Sequence, residues 1–572
     1  MTSVAESTTH PSASGDLSAA SKATKESLED YTLRFAPRSF RKWGAGVVAT
    51  SALGGIAYLA DFAIGADIGI AHGTSNALLG IGVAALVIFV TGIPLAYYAA
   101  RYNIDLDLIS RGAGFGYYGS VITNVIFATF TFIFFALEGS IMAQGLELGL
   151  GIPRPIGYAL SSLLIILLVI YGMNLLTKLQ VWTTPLWLIL MVVPVGYLII
   201  THPDSIATFF AYEGTAKDGT PLHQGIDLGS VMLAAGVCLS LIAQIAEQID
   251  YLRFMPPKTR ENRVAWWRAV ILAGPGWVVF GAIKQALGLF LAVYLIASTD
   301  PAAATADQPV HQFLAAYKDM MPLPVAIALA VILVVISQIK INVTNAYSGS
   351  LAWTNSFTRV TRTYPGRLVF VVVNVAIALF LMEANMFSFL GELLGFYSNL
   401  GMAWIVTVAT DILINKYVLK LSPIQPEFRR GMLYAWNPVG VVSLLLSGGI
   451  SIAMFFGAFG AEVQPFSPIF AVVIAFLATP LMAIITRGRY YLRRTDDGIE
   501  APMLDADGNP SGETLLCLVT GIEFERPDMI RSAVDGPNGE PQYISSLALA
   551  TDKTGVHVLP PQDRFEKRGV AG

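Results

Sequence analysis

Apolar stretches of about 20 residues recur along this chain, and each is long enough to cross the hydrocarbon core of a bilayer as a helix. They lie at roughly 44–70, 76–99, 117–144, 156–176, 181–201, 227–249, 270–297, 322–349, 367–384, 388–414, 438–460 and 466–486. Backbone polar groups in lipid must be satisfied within the segment, so repeated spans of this length predict helices. The expected class is an all-α integral membrane protein with twelve transmembrane helices. Composition agrees: 13% of residues are charged, where a soluble chain carries about a quarter.

The charges test the count. With the N-terminus in the cytoplasm and one crossing per span, the inner segments up to Arg494 hold 25 Lys and Arg, and the outer loops hold three, Arg154, Lys217 and Lys318. Lys284 and Lys340 fall inside spans, and six more lie in the tail. One missed or invented span would scramble this positive-inside bias downstream. The expected organisation is a cytoplasmic arm over 1–43, a twelve-helix transporter domain over 44–494 and a cytoplasmic tail over 495–572. Both termini are expected in the cytoplasm, with the chain multi-pass in the cell membrane. Residues 1–30 read as a disordered polar arm without the apolar core of a signal peptide. The tail reads as a small appendage, partly ordered at best, with β-prone pieces at Leu515–Val519 and Val556–Val558. Two distant cysteines, Cys238 and Cys517, imply neither a disulfide framework nor a metal site.

Polar residues at bilayer depth are costly and point to a pathway. Span 8 is the clearest case: after the apolar run Val325–Ile336 come Lys340, Asn342 and Asn345. Asn342 and Asn345 share a helical face, and their amides offer both donors and acceptors. The plainer alternative is hydrogen bonding between helices. In span 3 five phenylalanines between Phe127 and Phe135 precede Glu138. This carboxylate could bind a donor on a substrate, carry a proton, pair with Lys340, or serve as a structural partner between helices. In span 6, Gln244, Glu247 and Gln248 fall on one face, with Gly236 permitting a break upstream. In span 1, Gly54 and Gly55 mark either an unwound segment or close packing, and Asp61 follows. Lys284, Gln285, Glu392 and Asp411 are further candidates for gates or for helix packing.

Several segments together resemble the nucleobase–cation symporter-1 family, in its purine–cytosine permease branch. They are LRFAPRSFRKW before span 1, GFGYYGS entering span 3, AEQIDYLRF ending span 6, NVTNAYSGS in span 8, VATDILINKY closing span 10 and YAWNP before span 11. The likeness runs in order over about residues 28–494. It implies a LeuT-like fold: spans 1–5 and 6–10 form a 5+5 inverted repeat plus two extra helices, with broken spans 1 and 6 cradling the substrate. Spans 3 and 8 are then equivalents in the two repeats. The resemblance further implies that Phe134 stacks on the substrate ring. Glu138 stands where the family has a glutamine that hydrogen-bonds the ring, and Asn345 matches the family's span-8 asparagine.

Three departures follow from the same register. Residues 227–249 contain no aromatic, so a second ring-stacking side chain is missing. Glutamate in place of glutamine at 138 favours a donor-rich or cationic substrate. Lys340 stands where sodium-coupled members hold the ion with a hydroxyl residue. The expectation is a non-enzymatic permease importing a nucleobase-like heterocycle (cytosine, purine, uracil, allantoin or hydantoin type) by alternating access. Phe134, Glu138, Gln244, Asn342 and Asn345 are the expected substrate contacts. Lys340, Glu138, Asp61 and Glu247 are expected in coupling, and Gly54, Gly55 and Gly236 at helix breaks. No cofactor, metal or nucleic-acid polymer is expected; the partners are a small-molecule substrate, a co-transported proton and the lipid bilayer. An amino acid, amine or vitamin transporter, or a nutrient sensor signalling through the tail, stands as the alternative.

Overall fold

A computed structural model describes residues 33–170, 172–216, 220–222, 225–298 and 305–562. The arm over 1–30, Lys217 and residues 563–572 lie outside them. Helices stand at each of the twelve expected places. Among the described residues nine are long and apolar enough to cross a membrane, and a tenth span is the bent pair Ala45–Ala57 and Ala60–His72. The fourth and ninth places hold shorter helices, Arg154–Val169 of 16 residues and Arg367–Glu383 of 17 residues. At 1.5 Å per residue these reach about 25 Å, short of the roughly 30 Å hydrocarbon core. Helix length and apolarity in the structure thus support up to ten spans, against the twelve expected from the sequence.

Two groups of four helices form the body. Spans 1, 2, 6 and 7 pack on one another, and so do spans 3, 4, 8 and 9. Spans 3 (Leu106–Leu150) and 8 (Leu323–Thr361) share the largest interface. Spans 1 and 7 share the next, because small residues let their backbones meet. A Cβ built on Gly65 would lie 1.9 Å from the Gln285 carbonyl oxygen, and one on Gly288 would lie 2.3 Å from the Phe62 backbone.

Spans 1 and 6 are both interrupted. Span 1 runs as α-helix over Ala45–Gly54, tightens to a 3-10 turn over Gly55–Ala57, extends at Tyr58 and resumes at Ala60, bending by 48°. The break follows the Gly54–Gly55 pair, where helix propensity is low. Span 6 is α-helical over Leu228–Leu239, passes through a 3-10 turn over Ser240–Gln244 and resumes over Ile245–Leu252. Gly236, read in the sequence as the break, lies inside the regular helix four residues before the turn. Its missing side chain instead leaves room for Pro468, 3.2 Å from where a Cβ would sit.

The tail departs from the expectation of partial order. Strands Thr514–Leu516 and Glu523–Glu525 pair antiparallel, as do Met529–Arg531 and Tyr543–Ser545, and a short helix follows at Ser546–Thr551. Val556–Val558 forms no strand. The tail's small core of Cys517, Phe524, Met529, Ile530, Ile544 and Leu549 includes Met432, from the loop between spans 10 and 11. Ion pairs fix the tail to the rest of the chain. Arg34 reaches Asp528 at 2.8 Å and Arg429 reaches Asp497 at 2.6 Å. The Arg38 N–H donates to Glu525 at 2.6 Å, and Arg101 donates to Asn509 at 2.6 Å. Burial pushes the Asp528 carboxyl up to about 7 even with Arg34 beside it. Removing that cation leaves an uncompensated buried group. Arg34→Ala is therefore expected to weaken tail docking by about 3–5 kcal/mol. Limited proteolysis within 495–562 checks this: cleavage should become faster in the variant, and an unchanged rate would refute the role of the pair.

Candidate functional site

The two interruptions face each other, and polar side chains of spans 3, 5, 7 and 8 converge on them. Tyr58, in the extended stretch of span 1, donates through its hydroxyl to Gln244 Oε1 at 2.8 Å. This bond joins the two broken helices directly. Span 7 contributes Lys284, whose Nζ donates to the carbonyls of Ile56 at 2.6 Å and Tyr58 at 3.0 Å. The same ammonium lies 2.9 Å from Asp61 Oδ2 and 3.6 Å from the centroid of the Tyr58 ring. Gln285 donates to the other Asp61 oxygen at 2.8 Å. Asp61 is thus fully buried and neutralised, not near the surface.

Spans 3 and 8 form the opposite wall. Phe134 is buried with its ring 4.4 Å from that of Phe130, which in turn meets Tyr397. One turn on, Glu138 is buried; neither carboxylate oxygen makes a well-formed hydrogen bond, although the Gln338 side chain and the Ala60 backbone N–H approach it. Its polar neighbours are Gln338, the Ala60 backbone, Lys284 and Asp61. Both amide atoms of Gln338 are likewise buried and unpaired. On span 8, Asn342 donates to the Phe135 carbonyl at 3.4 Å and accepts from Asn345 at 3.1 Å. Asn345 Oδ1 is left without a partner, as are Gln244 Nε2 and Glu247 Oε1. These atoms leave the walls of the site with hydrogen-bonding capacity that the surrounding residues do not use.

Lys340 does not reach Glu138, the pairing weighed from the sequence. Its Nζ turns to span 5, donating to the Gln180 carbonyl at 2.8 Å and to the hydroxyls of Thr183 at 2.9 Å and Thr184 at 3.0 Å. The Gln180 amide returns a bond to the Lys340 carbonyl at 2.7 Å. The cation beside Glu138 is Lys284. Sequence reasoning ranked it low and passed over Tyr58, Gln338, Gln180 and the two threonines. Tyr58 had one available signal, its place three residues before Asp61 on the far side of the glycine pair. Among the described residues no group of His, Cys, Asp or Glu could hold a metal ion.

The two faces of the molecule on either side of this site differ. On the face that carries the N-terminal arm, charged groups of spans 3, 6 and 8 close the path. Asp107 accepts from Arg111 at 2.6 Å, Arg359 at 2.9 Å and Asn355 at 2.8 Å. Asp250 accepts from Ser348 at 2.6 Å, and Arg253 lies 3.4 Å from Asp105. On the other face a cavity of about 610 Å³ opens among the ends of spans 1, 6 and 10 and the loop before span 12. Asp67, His72, Asp307 and Glu392 line it, and no Lys or Arg does.

Two four-helix groups and paired helix breaks around a buried polar site are the arrangement of a secondary transporter of the LeuT-like type. The chain belongs to the nucleobase–cation symporter-1 family: residues 36–482 match the family described as permeases for cytosine/purines, uracil, thiamine and allantoin. No curated protein matches it in sequence. Among solved structures it is similar to Mhp1, a nucleobase–cation symport-1 family transporter in a closed conformation with bromovinylhydantoin bound. That match has 17% identity and a TM-score of 0.58, covering 79% of this chain and 94% of the other. A Na+-coupled sialic acid symporter in a substrate-bound outward-open state shares the fold at 13% identity and a TM-score of 0.54, covering 82% and 96%. A manganese transporter from Eremococcus coleocola follows at 15% and 0.50, covering 80% and 97%. Family and neighbours are transporters, not enzymes.

The contact of spans 1 and 7 holds Asp61 and Lys284 together, so it is testable by size alone. Gly65→Ala is expected to force the two helices apart at Gln285 and lower the melting temperature by an overpacking cost of about 1–3 kcal/mol. Gly46→Ala is the control, since a Cβ there meets nothing within 4 Å. Equal melting of the two variants would contradict the packing.

Proposed function

We propose that this protein imports a nucleobase-like heterocycle together with a proton, by alternating access. The observation that carries the reading is the set of buried polar atoms on Gln338, Asn345 and Gln244 left unpaired beside the Glu138 carboxylate. Together they present acceptors and donors in the way an amide-like ring edge requires. Asn345 is the substrate contact on span 8. Asn342, with its donor spent on Phe135 and its acceptor on Asn345, orients it. Phe134 supplies a ring face. The acceptor-only carboxylate of Glu138 selects a donor-rich edge, and a vestibule lined by three carboxylates and one histidine, with no Lys or Arg, favours a neutral or cationic solute over an anion. That last feature also keeps an amine or a vitamin as the second reading.

Charge asymmetry supports placing the arm and tail in the cytoplasm, which makes the sealed face the inner one and the vestibule the outer one. Transport then requires the group of spans 1, 2, 6 and 7 to rock against spans 3, 4, 8 and 9. The inner seal around Asp107 and Asp250 must part on the way. No cofactor takes part.

Lys340 is the coupling group. It links span 8 to span 5, and all three of its acceptors are neutral, whereas Asp61 balances Lys284. A buried charge without a local counter-ion is the natural one to change protonation during the cycle. Glu138, which faces the other wall of the site beside Lys284, is the second candidate.

Uptake of radiolabelled cytosine, hypoxanthine, allantoin or a hydantoin into proteoliposomes is the direct test. Uptake of at least one is expected to follow an imposed pH gradient and to ignore a sodium gradient. Uptake driven by sodium and indifferent to pH would overturn the coupling assignment. Asn345→Ala is expected to weaken ligand binding by about 1–3 kcal/mol, the cost of leaving a buried partner unsatisfied, as read by calorimetry. Lys340→Met is expected to bind substrate and exchange it across the membrane while losing the response to the pH gradient. A truncation at Arg494 that transports normally would favour a regulatory tail; loss of uptake in protein that still binds ligand would favour a tail that takes part in the cycle.

A further inference from the structure

The break in span 1 frees backbone carbonyls that a continuous helix would have bonded four residues on. In lipid such groups must find donors or cations. Ile56 and Tyr58 turn theirs to one point, which the Asp61 carboxylate and the face of the Tyr58 ring also border. At that point lies Lys284 Nζ, 2.6 Å, 3.0 Å and 2.9 Å from the three oxygens and 3.6 Å from the ring centroid. Two carbonyls, a carboxylate and an aromatic face make a monovalent-cation site in every element of its chemistry. Divalent ions would want more charge and more oxygens than are present.

We propose that this cage is a monovalent-cation site which the chain fills with its own tethered ammonium, and that a primary alkylammonium can occupy it when the tether is cut. The occupant is held in place by packing. Gly65 and Gly288 bring spans 1 and 7 into backbone contact, and the missing Cβ of Gly281 leaves room for Asp61 Oδ2, 3.3 Å from where it would sit. At this separation the Lys284 side chain reaches the span 1 break while remaining fully buried. Cage and tether both belong to the group of spans 1, 2, 6 and 7. The cation therefore travels with that group and need not be released in each cycle. Its task is to hold the span 1 break open and to neutralise Asp61, with no dissolved ion required. In this it differs from Lys340, which bonds span 8 to span 5.

The test uses the full chain, purified, with no transported substrate. Lys284→Ala removes Cγ, Cδ, Cε and Nζ, the atoms of n-propylammonium. The variant is expected to melt several degrees below the parent and to regain at least half of that loss in millimolar n-propylammonium, because a ligand bound only by the folded state raises its stability. Methylammonium should do less, and tetramethylammonium, which has no N–H for the carbonyls, nothing. Adding Asp61→Asn to Lys284→Ala should abolish the response. Melting equal to the parent, or a response to propylammonium no larger than to tetramethylammonium, would overturn the proposal. If Lys284→Ala cannot be recovered folded in plain buffer, it is extracted in each amine in parallel. Roughly tenfold more monodisperse protein in propylammonium is expected, and equal amounts would overturn the proposal as firmly.

Discussion

A helix can stop in the middle of a bilayer only if something else takes up the groups it leaves open. This molecule does so twice, at Gly55–Tyr58 in span 1 and at Ser240–Gln244 in span 6. Its polar architecture follows from that requirement. Lys284 answers the carbonyls of span 1, Asp61 answers Lys284, Gln285 answers Asp61, and Tyr58 ties the first break to Gln244 in the second. Close glycine packing of spans 1 and 7 is the condition for the chain of bonds, because it sets how far the lysine must reach. The site is thus built outward from a backbone defect.

The same reasoning separates what holds from what must move. Bonds among spans 1, 2, 6 and 7 include a fully paired buried charge and direct backbone contact, which makes that group a unit. Bonds between it and spans 3 and 8 are of another kind. Near the site they are sparse: Gln338 and Asn345 keep buried polar atoms unpaired beside the Glu138 carboxylate. At the face that carries the N-terminal arm they are strong but peripheral, in the Asp250–Ser348 and Asp105–Arg253 contacts. A body joined at one end by ion pairs and left unsatisfied at its middle has one place where a solute can change the balance between its states.

Much of the frame was legible in the sequence because it depends on short-range patterns. Apolar length and the sidedness of Lys and Arg are local properties, and a helix stands at each of the twelve places they marked. The Gly54–Gly55 pair sits at the break because a weak helix former acts where it stands. What was not legible depends on rotation of one helix against another. Lys340 and Lys284 look alike in sequence, each a lone lysine in an apolar span. Only the packing turns one toward span 5 and the other toward Asp61. Gly236 had the local signature of a break, yet Pro468 needs the space its side chain would take. The tail's order was hidden for a related reason: its core borrows Met432 from a loop 85 residues before Cys517, and its fold is held by Arg34 and Arg429, which no reading of 495–562 alone would include.

That borrowing has a mechanical consequence. The tail bonds the segment before span 1 through Arg34 and Arg38, the end of span 2 through Arg101, the end of span 8 through Arg362 and the loop after span 10 through Arg429 and Arg430. Spans 1 and 2 belong to one four-helix group and span 8 to the other, so the tail straddles the boundary along which the groups would rock. Its contacts lie on the same face as the Asp107 and Asp250 seal. Parting that seal must therefore stretch or shed some of the tail's bonds. Those of Arg101, to Asn509 and the Asp507 carbonyl, and of Arg362, to the Ala550 carbonyl, are part-buried or exposed, whereas the Arg34–Asp528 and Arg429–Asp497 pairs are buried. The outer bonds would yield first, leaving the tail attached to the arm and to the loop after span 10 while the two groups separate beneath it.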